Sequence, residues 1–89
     1  MKAVITVIGK DKVGIIATVS SECAKYSANI VDITQSVMKE YFAMIMLVEI
    51  DNMNVSFADF QHELAEVAKE KGLDIRVMHE DIFNSMHRI

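Results

Sequence analysis

Two rhythms of apolar and polar positions run along this chain, one suited to strands and the other to helices. Ala3 to Ile8 (AVITVI) is β-branched and nearly all apolar, the pattern of a strand buried on both faces. Gly9-Lys10-Asp11-Lys12 breaks it. From about Val13 to Ser27 the apolar Ile15, Ile16, Val19 and Cys23 recur at helical spacing, with Ser20, Ser21, Glu22 and Lys25 on the wetter side. Asp11 is placed to cap that helix. Asn29 then turns the chain into Ile30 to Met38, whose imperfect alternation predicts a half-exposed strand with a bulge.

Lys39-Glu40-Tyr41 lacks the Gly or Asn of a strong turn signal, so the hairpin there is inferred from its flanks. Phe42 to Ile50 (FAMIMLVEI) is apolar except at Glu49, and its length and polar borders predict a central strand. After the loop Asp51-Asn52-Met53-Asn54, Ser56 and Asp59 resemble a capping pair. Phe57, Phe60, Leu64 and Val67 then step along one face of a second helix, which Gly72 ends where φ turns positive. Leu73 to Met78 alternates as a last strand.

The order is strand, helix, strand, strand, helix, strand. Right-handed crossovers put the first and third strands in the middle of a four-stranded antiparallel sheet, with two helices on one face. The predicted fold class is α+β, a ferredoxin-like βαββαβ sandwich in one domain over residues 1–89, with a short apolar tail at 80–89.

Composition narrows the function. The formal charge is -4, from 9 basic and 13 acidic side chains, and no run of Lys or Arg offers a stripe for phosphates. Nucleic acid and anionic membranes are therefore poor partners. Cys23 is the only cysteine, which excludes an internal disulfide and any Cys-x-x-Cys motif. No apolar run approaches the ~20 residues of a membrane span, and Met1 to Ile8 reads as a strand rather than a signal peptide. A cytoplasmic location is expected.

Candidate chemistry concentrates in Gly9-Lys10-Asp11-Lys12-Val13-Gly14-Ile15. Gly14 stands where a side chain would block approach to a helix N-terminus, whose amides and dipole favour a carboxylate or another small anion. Lys12 adds positive charge. Asp11 either caps the helix or accepts a bond from an ammonium group. An acceptor beside an anion-binding helix end suits an amino-acid zwitterion; a tight turn that merely needs glycine explains the same spacing.

The segment TVIGKDKVGIIATVSSECAKYSANIVDI resembles an ACT domain, a regulatory module attached to many enzymes of amino-acid metabolism. Asp11, Lys12, Gly14 and Ile15 match the familiar pattern, with Val13 where Pro is common, and Asn29 matches the Asn that precedes the second strand. With the closing stretch from Glu80 to Ile89, the whole chain is similar to the stand-alone single-ACT-domain proteins of bacteria and archaea, and more distantly to the glycine cleavage system repressor. The resemblance implies an amino-acid effector held at a subunit interface, between the first loop of one protomer and its neighbour. Carried over, the ligand-binding candidates are Asp11, Val13, Gly14, Ile15 and Asn29, and Lys12 joins them for its charge. Asn29 offers both a donor and an acceptor, although an Asn there also suits a turn.

The other candidates read as structure. His62, His79 and His87 form no ligand pair, so they read as surface side chains, and no metal or cofactor is expected. The methionines, spread over strands and tail, read as packing. No paired nucleophile and base stands out, so the chain is not expected to be an enzyme. The face away from the helices is expected to show Val4, Thr6, Ala43, Ile45, Leu47 and Met78, and the second strand is an open edge; a homodimer follows from either. Ile82, Phe83, Met86 and Ile89 form a stripe that folds back on the sheet or docks on a partner. The expected function is a small-molecule sensor, with an amino acid as effector. The alternative is an interaction module that regulates a metabolic partner without a ligand.

Overall fold

β1 spans Lys2–Gly9, α1 Lys12–Lys25, β2 Asn29–Met38, β3 Tyr41–Glu49, α2 Phe57–Lys71, β4 Asp74–His79 and α3 Glu80–Met86. The computed structural model describes residues 1–10 and 12–86, apart from the Lys12 side chain. The strands form one antiparallel sheet in the order β2-β3-β1-β4. The two most apolar strands are therefore central, as their composition predicts. Ala3, Ile5 and Val7 of β1 and Phe42, Met44, Met46 and Val48 of β3 meet α1 and α2 in one core. Both helices thus cover one face, and the fold is the ferredoxin-like α+β sandwich.

Local chemistry explains the boundaries. Asp59 donates its N–H to Ser56 Oγ at 3.1 Å, which caps α2. Gly72 closes that helix at φ 69, a left-handed conformation that costs glycine nothing. The buried line of α2 is Phe60, Leu64 and Ala68, while Phe57 and Val67 flank it half-buried. Small Ala68 lets the helix come close to the sheet, a role that its hydropathy understates. The register of β2 shifts between Ile30 and Asp32, so Ile30 and Ile33 both reach the helical side despite their odd spacing.

Two expectations need correction. The turn into β2 is made by Ser27, at φ 60, while Asn29 is already the first residue of the strand. His79 is a half-buried ring stacked on Phe57 at 4.0 Å between centroids, not a solvated side chain. The tail also has a definite place. α3 packs back against β1 and β4, and Val4, which points away from α1 and α2, is only 3% exposed. Ile82 and Met86 of α3 stay exposed.

Cys23 is fully buried, and its thiol pKa is pushed up from 9.0 to about 11, chiefly by desolvation and secondarily by the charge of Glu22. Above pH 9 the unfolded chain gives up a proton that the folded chain keeps. The contribution is therefore intact below pH 9 and is lost as pH rises toward 11, by roughly 2 kcal/mol. Urea unfolding of the parent and of Cys23→Ala at pH 8 and pH 11 is expected to show the parent's stability falling by that much more than the variant's.

Candidate functional site

The first loop is shaped by a residue with no side chain. A Cβ on Gly9 would stand 2.5 Å from Leu73 Cδ2 and 2.7 Å from Ile15 Cδ1, so glycine lets these three elements converge without turning either side chain aside. The end of β1, the first turn of α1 and the start of β4 are thereby drawn together. Ile15 fills the space beneath and is 1% exposed.

Two hollows flank this junction. The smaller, about 170 Å³, is lined by Gly14, Ile15, Thr18, Lys71 and Leu73. The larger, about 540 Å³, runs from Gly9 and Lys10 past Tyr41 to Lys71, Gly72, Leu73 and Asp74. Lys71 and Leu73 belong to both, so the last turn of α2 separates them. The larger lies within the about 300–1,000 Å³ of small-molecule clefts; the smaller admits only something of the size of a small metabolite.

The charges around them differ in availability. Lys10 Nζ lies 3.9 Å from Glu40 Oε2 and 5.6 Å from the centre of the Tyr41 ring, so the β2–β3 hairpin holds it. Asp74 Oδ1 accepts from Arg76 Nε at 3.4 Å. Lys71 is exposed and makes no ion pair among the described residues. Among the described residues it is a cation beside the leading turn of α1 with no carboxylate holding it, where the helix dipole also favours negative charge.

Of the residues read from the sequence, Gly14 and Ile15 line the smaller hollow, Ile15 as part of the core. Val13 is 78% exposed and lines neither. Asp11 and the Lys12 side chain lie outside the described residues. Asn29 is not brought to the loop: it pairs with Glu49 opposite the start of β1, whereas Gly9 ends that strand. About 20 Å of α1 separates the two ends. Within one protomer Asn29 cannot share a small ligand with Gly14. Thr18, Lys71 and Leu73 were missed, and Thr18, one turn after Gly14, was the one with a local signal.

A hollow of about 570 Å³ lies at the far end of the sheet, lined by Met1, Lys2, His79, Glu80, Asp81 and Ile82. It shares no residue with the first loop. Among the described residues no group of three or more His, Cys, Asp or Glu could hold a metal ion, and no helix is long and apolar enough to cross a membrane.

Comparison with known proteins adds a family. A family model described as the ACT domain matches residues 2–78, ending just before α3. A UPF0237 protein of Clostridium acetobutylicum is 55% identical over 89 residues, which is 100% of both chains. One from Methanocaldococcus jannaschii is 49% identical over 88 residues, 99% of this chain and 98% of that one. A solved structure of an ACT domain protein from Streptococcus pneumoniae superposes with a TM-score of 0.80 at 39% identity, over 98% of each chain.

Proposed function

We propose, on the premise that this chain belongs to the ACT domain family, that it binds a free amino acid beside the first turn of α1 and acts as a regulator rather than as a catalyst. The family is one of ligand-binding regulatory domains, which gives the class of function. The hollow lined by Gly14, Thr18 and Lys71 supports the finer reading. Lys71 and the positive end of the α1 dipole would attract the carboxylate into the hollow that Gly14 and Thr18 line. Asn29, too distant in its own protomer, would enter from a second subunit. The partner would thereby complete the site, and the ligand would bias the assembly by its differential affinity for two arrangements.

A screen of the twenty amino acids by thermal shift tests this. One amino acid, or a few related ones, is expected to raise the melting temperature in a saturable way. Gly14→Val is expected to weaken the response at least tenfold, about 1.4 kcal/mol or more of binding energy, while the variant keeps its fold by circular dichroism. A flat screen with the parent chain removes the amino-acid reading.

A second reading has its own support: Ile8, Tyr41 and Ile45 leave an apolar strip on the outer face of the sheet. That strip suits an interaction module which needs no ligand. Affinity capture with and without the stabilising amino acid separates the two, since only a sensor changes its partner's retention.

A further inference from the structure

We infer that the larger hollow, between the end of β1, the start of β3 and the turn from α2 into β4, is a second binding site, for an organic acid with an apolar body and no ammonium group. Charge carries the inference. Lys10 and Lys71 line the hollow, and Asp74 is its carboxylate. Asp74 Oδ1 already accepts from Arg76 Nε at 3.4 Å, and Lys10 Nζ stands 3.9 Å from Glu40 Oε2. Lys71 has no such partner among the described residues. The residues three and four places before it are Ala68 and Val67, so its own helix offers it no carboxylate there. The negative end of the α2 dipole favours its ammonium at this corner without pairing it. The hollow and the ion pairs on its rim thus carry three cations, Lys10, Lys71 and Arg76, against two carboxylates, Glu40 and Asp74. One positive charge is left over, in a chain whose formal charge is -4. A monocarboxylate balances it. A zwitterion does not, because its ammonium meets no carboxylate that lacks a cation.

The walls set the rest of the ligand. Ile8 and Tyr41, 49% and 46% exposed, and the half-buried Leu73 give the hollow apolar sides. Gly72 leaves the rim open, since an added Cβ there would meet nothing within 4 Å. An apolar lining with a few placed polar groups is the usual make-up of a small-molecule cleft. An aromatic carboxylate suits these walls. Its ring would lie against Tyr41 and Ile8 while its charge meets Lys71.

The position of Lys71 gives the site a consequence. Lys71 and Leu73 line the smaller hollow as well as the larger. An ammonium drawn to a carboxylate in one hollow is withdrawn from the other, so the organic acid competes with the amino acid. The competition rests on the amino-acid reading above; the site itself does not.

Titration with 3-phenylpropionate, followed by amide chemical shifts, tests the site. Saturable shifts centred on Ile8, Lys10, Tyr41, Gly72 and Asp74 are expected. Three relatives are each expected to bind there at least tenfold more weakly. Acetate keeps the charge without the ring, 3-phenylpropan-1-ol keeps the ring without the charge, and phenylalanine adds the ammonium. Lys71→Met is expected to weaken 3-phenylpropionate at least tenfold. Lys69→Met, which removes the same charge from the same exposed turn of α2, is expected to change it less than twofold. No saturation at millimolar concentration, shifts centred outside the hollow, parity of any of the three relatives, or equal losses in the two lysine variants overturns the site. If 3-phenylpropionate leaves the apparent affinity of the stabilising amino acid unchanged, the competition alone is overturned. Saturable 3-phenylpropionate in a chain that binds no amino acid upholds the site and removes the amino-acid reading.

Discussion

Phe60→Ala is expected to cost about 3–5 kcal/mol, the range for a large aromatic side chain removed from a packed core. Phe60 is fully buried on the inner line of α2 and meets the Tyr26 ring edge-on at 6.2 Å, 80° between planes. That contact joins α2 to the end of α1, which Asn54 also ties down through its N–H to Tyr26 O at 3.1 Å. A domain this small has only about 5–15 kcal/mol of stability to lose. The melting temperature is thus expected to fall by roughly 12–40 °C, at about 4–8 °C per kcal/mol. Differential scanning calorimetry checks this; a fall of only a few degrees would mean that the core does not close around Phe60.

Gly9→Val acts on the site through the fold. Its Cβ would lie inside contact distance of Leu73 and Ile15, and its two methyl groups would press further into the same junction. Overpacking of this kind is expected to cost about 2–3 kcal/mol. The tips of Leu73 and Ile15 can turn aside, so Gly9→Ala is expected to cost much less. Relief comes by pushing the first turn of α1 away from β4, which separates Gly14 from Lys71. Gly9→Val should therefore lose amino-acid stabilisation even where it remains folded, whereas Gly9→Ala keeps most of it. Urea unfolding with and without the amino acid reads both effects; equal binding by parent and Gly9→Val would show that the junction does not shape the hollow.

Much of the fold was legible in local signals. The apolar runs Ala3 to Ile8 and Phe42 to Ile50 marked the central strands, Ser56 and Gly72 marked both ends of α2, and the broken alternation after Ile30 marked the bulge. Local signals failed where tertiary geometry decides. A serine takes the left-handed turn that Asn29 seemed to suit. The apolar stripe at Ile82, Phe83 and Met86 suited the sheet or, slightly better, a partner; α3 packs against β1 and β4 yet leaves Ile82 and Met86 exposed.

The lining of the candidate hollow was half legible for the same reason. Gly14 and Ile15 announced themselves by glycine and spacing beside a helix start. Lys71 and Leu73 come from the far end of the chain, and no periodicity links them to the first loop. They arrive there because Gly9 permits a close approach, which becomes visible only when Leu73 is found against it. Conversely, Asn29 fitted a sequence pattern yet stands at the other end of the sheet from the loop.

Amide chemical-shift mapping locates an amino acid bound beside the leading turn of α1. Titration of the isotopically labelled chain with the twenty amino acids is expected to move the signals of Gly14, Ile15, Thr18, Lys71 and Leu73 most, with saturation. No shift with any amino acid, or shifts centred on His79 to Ile82 at the far end of the sheet, would contradict it.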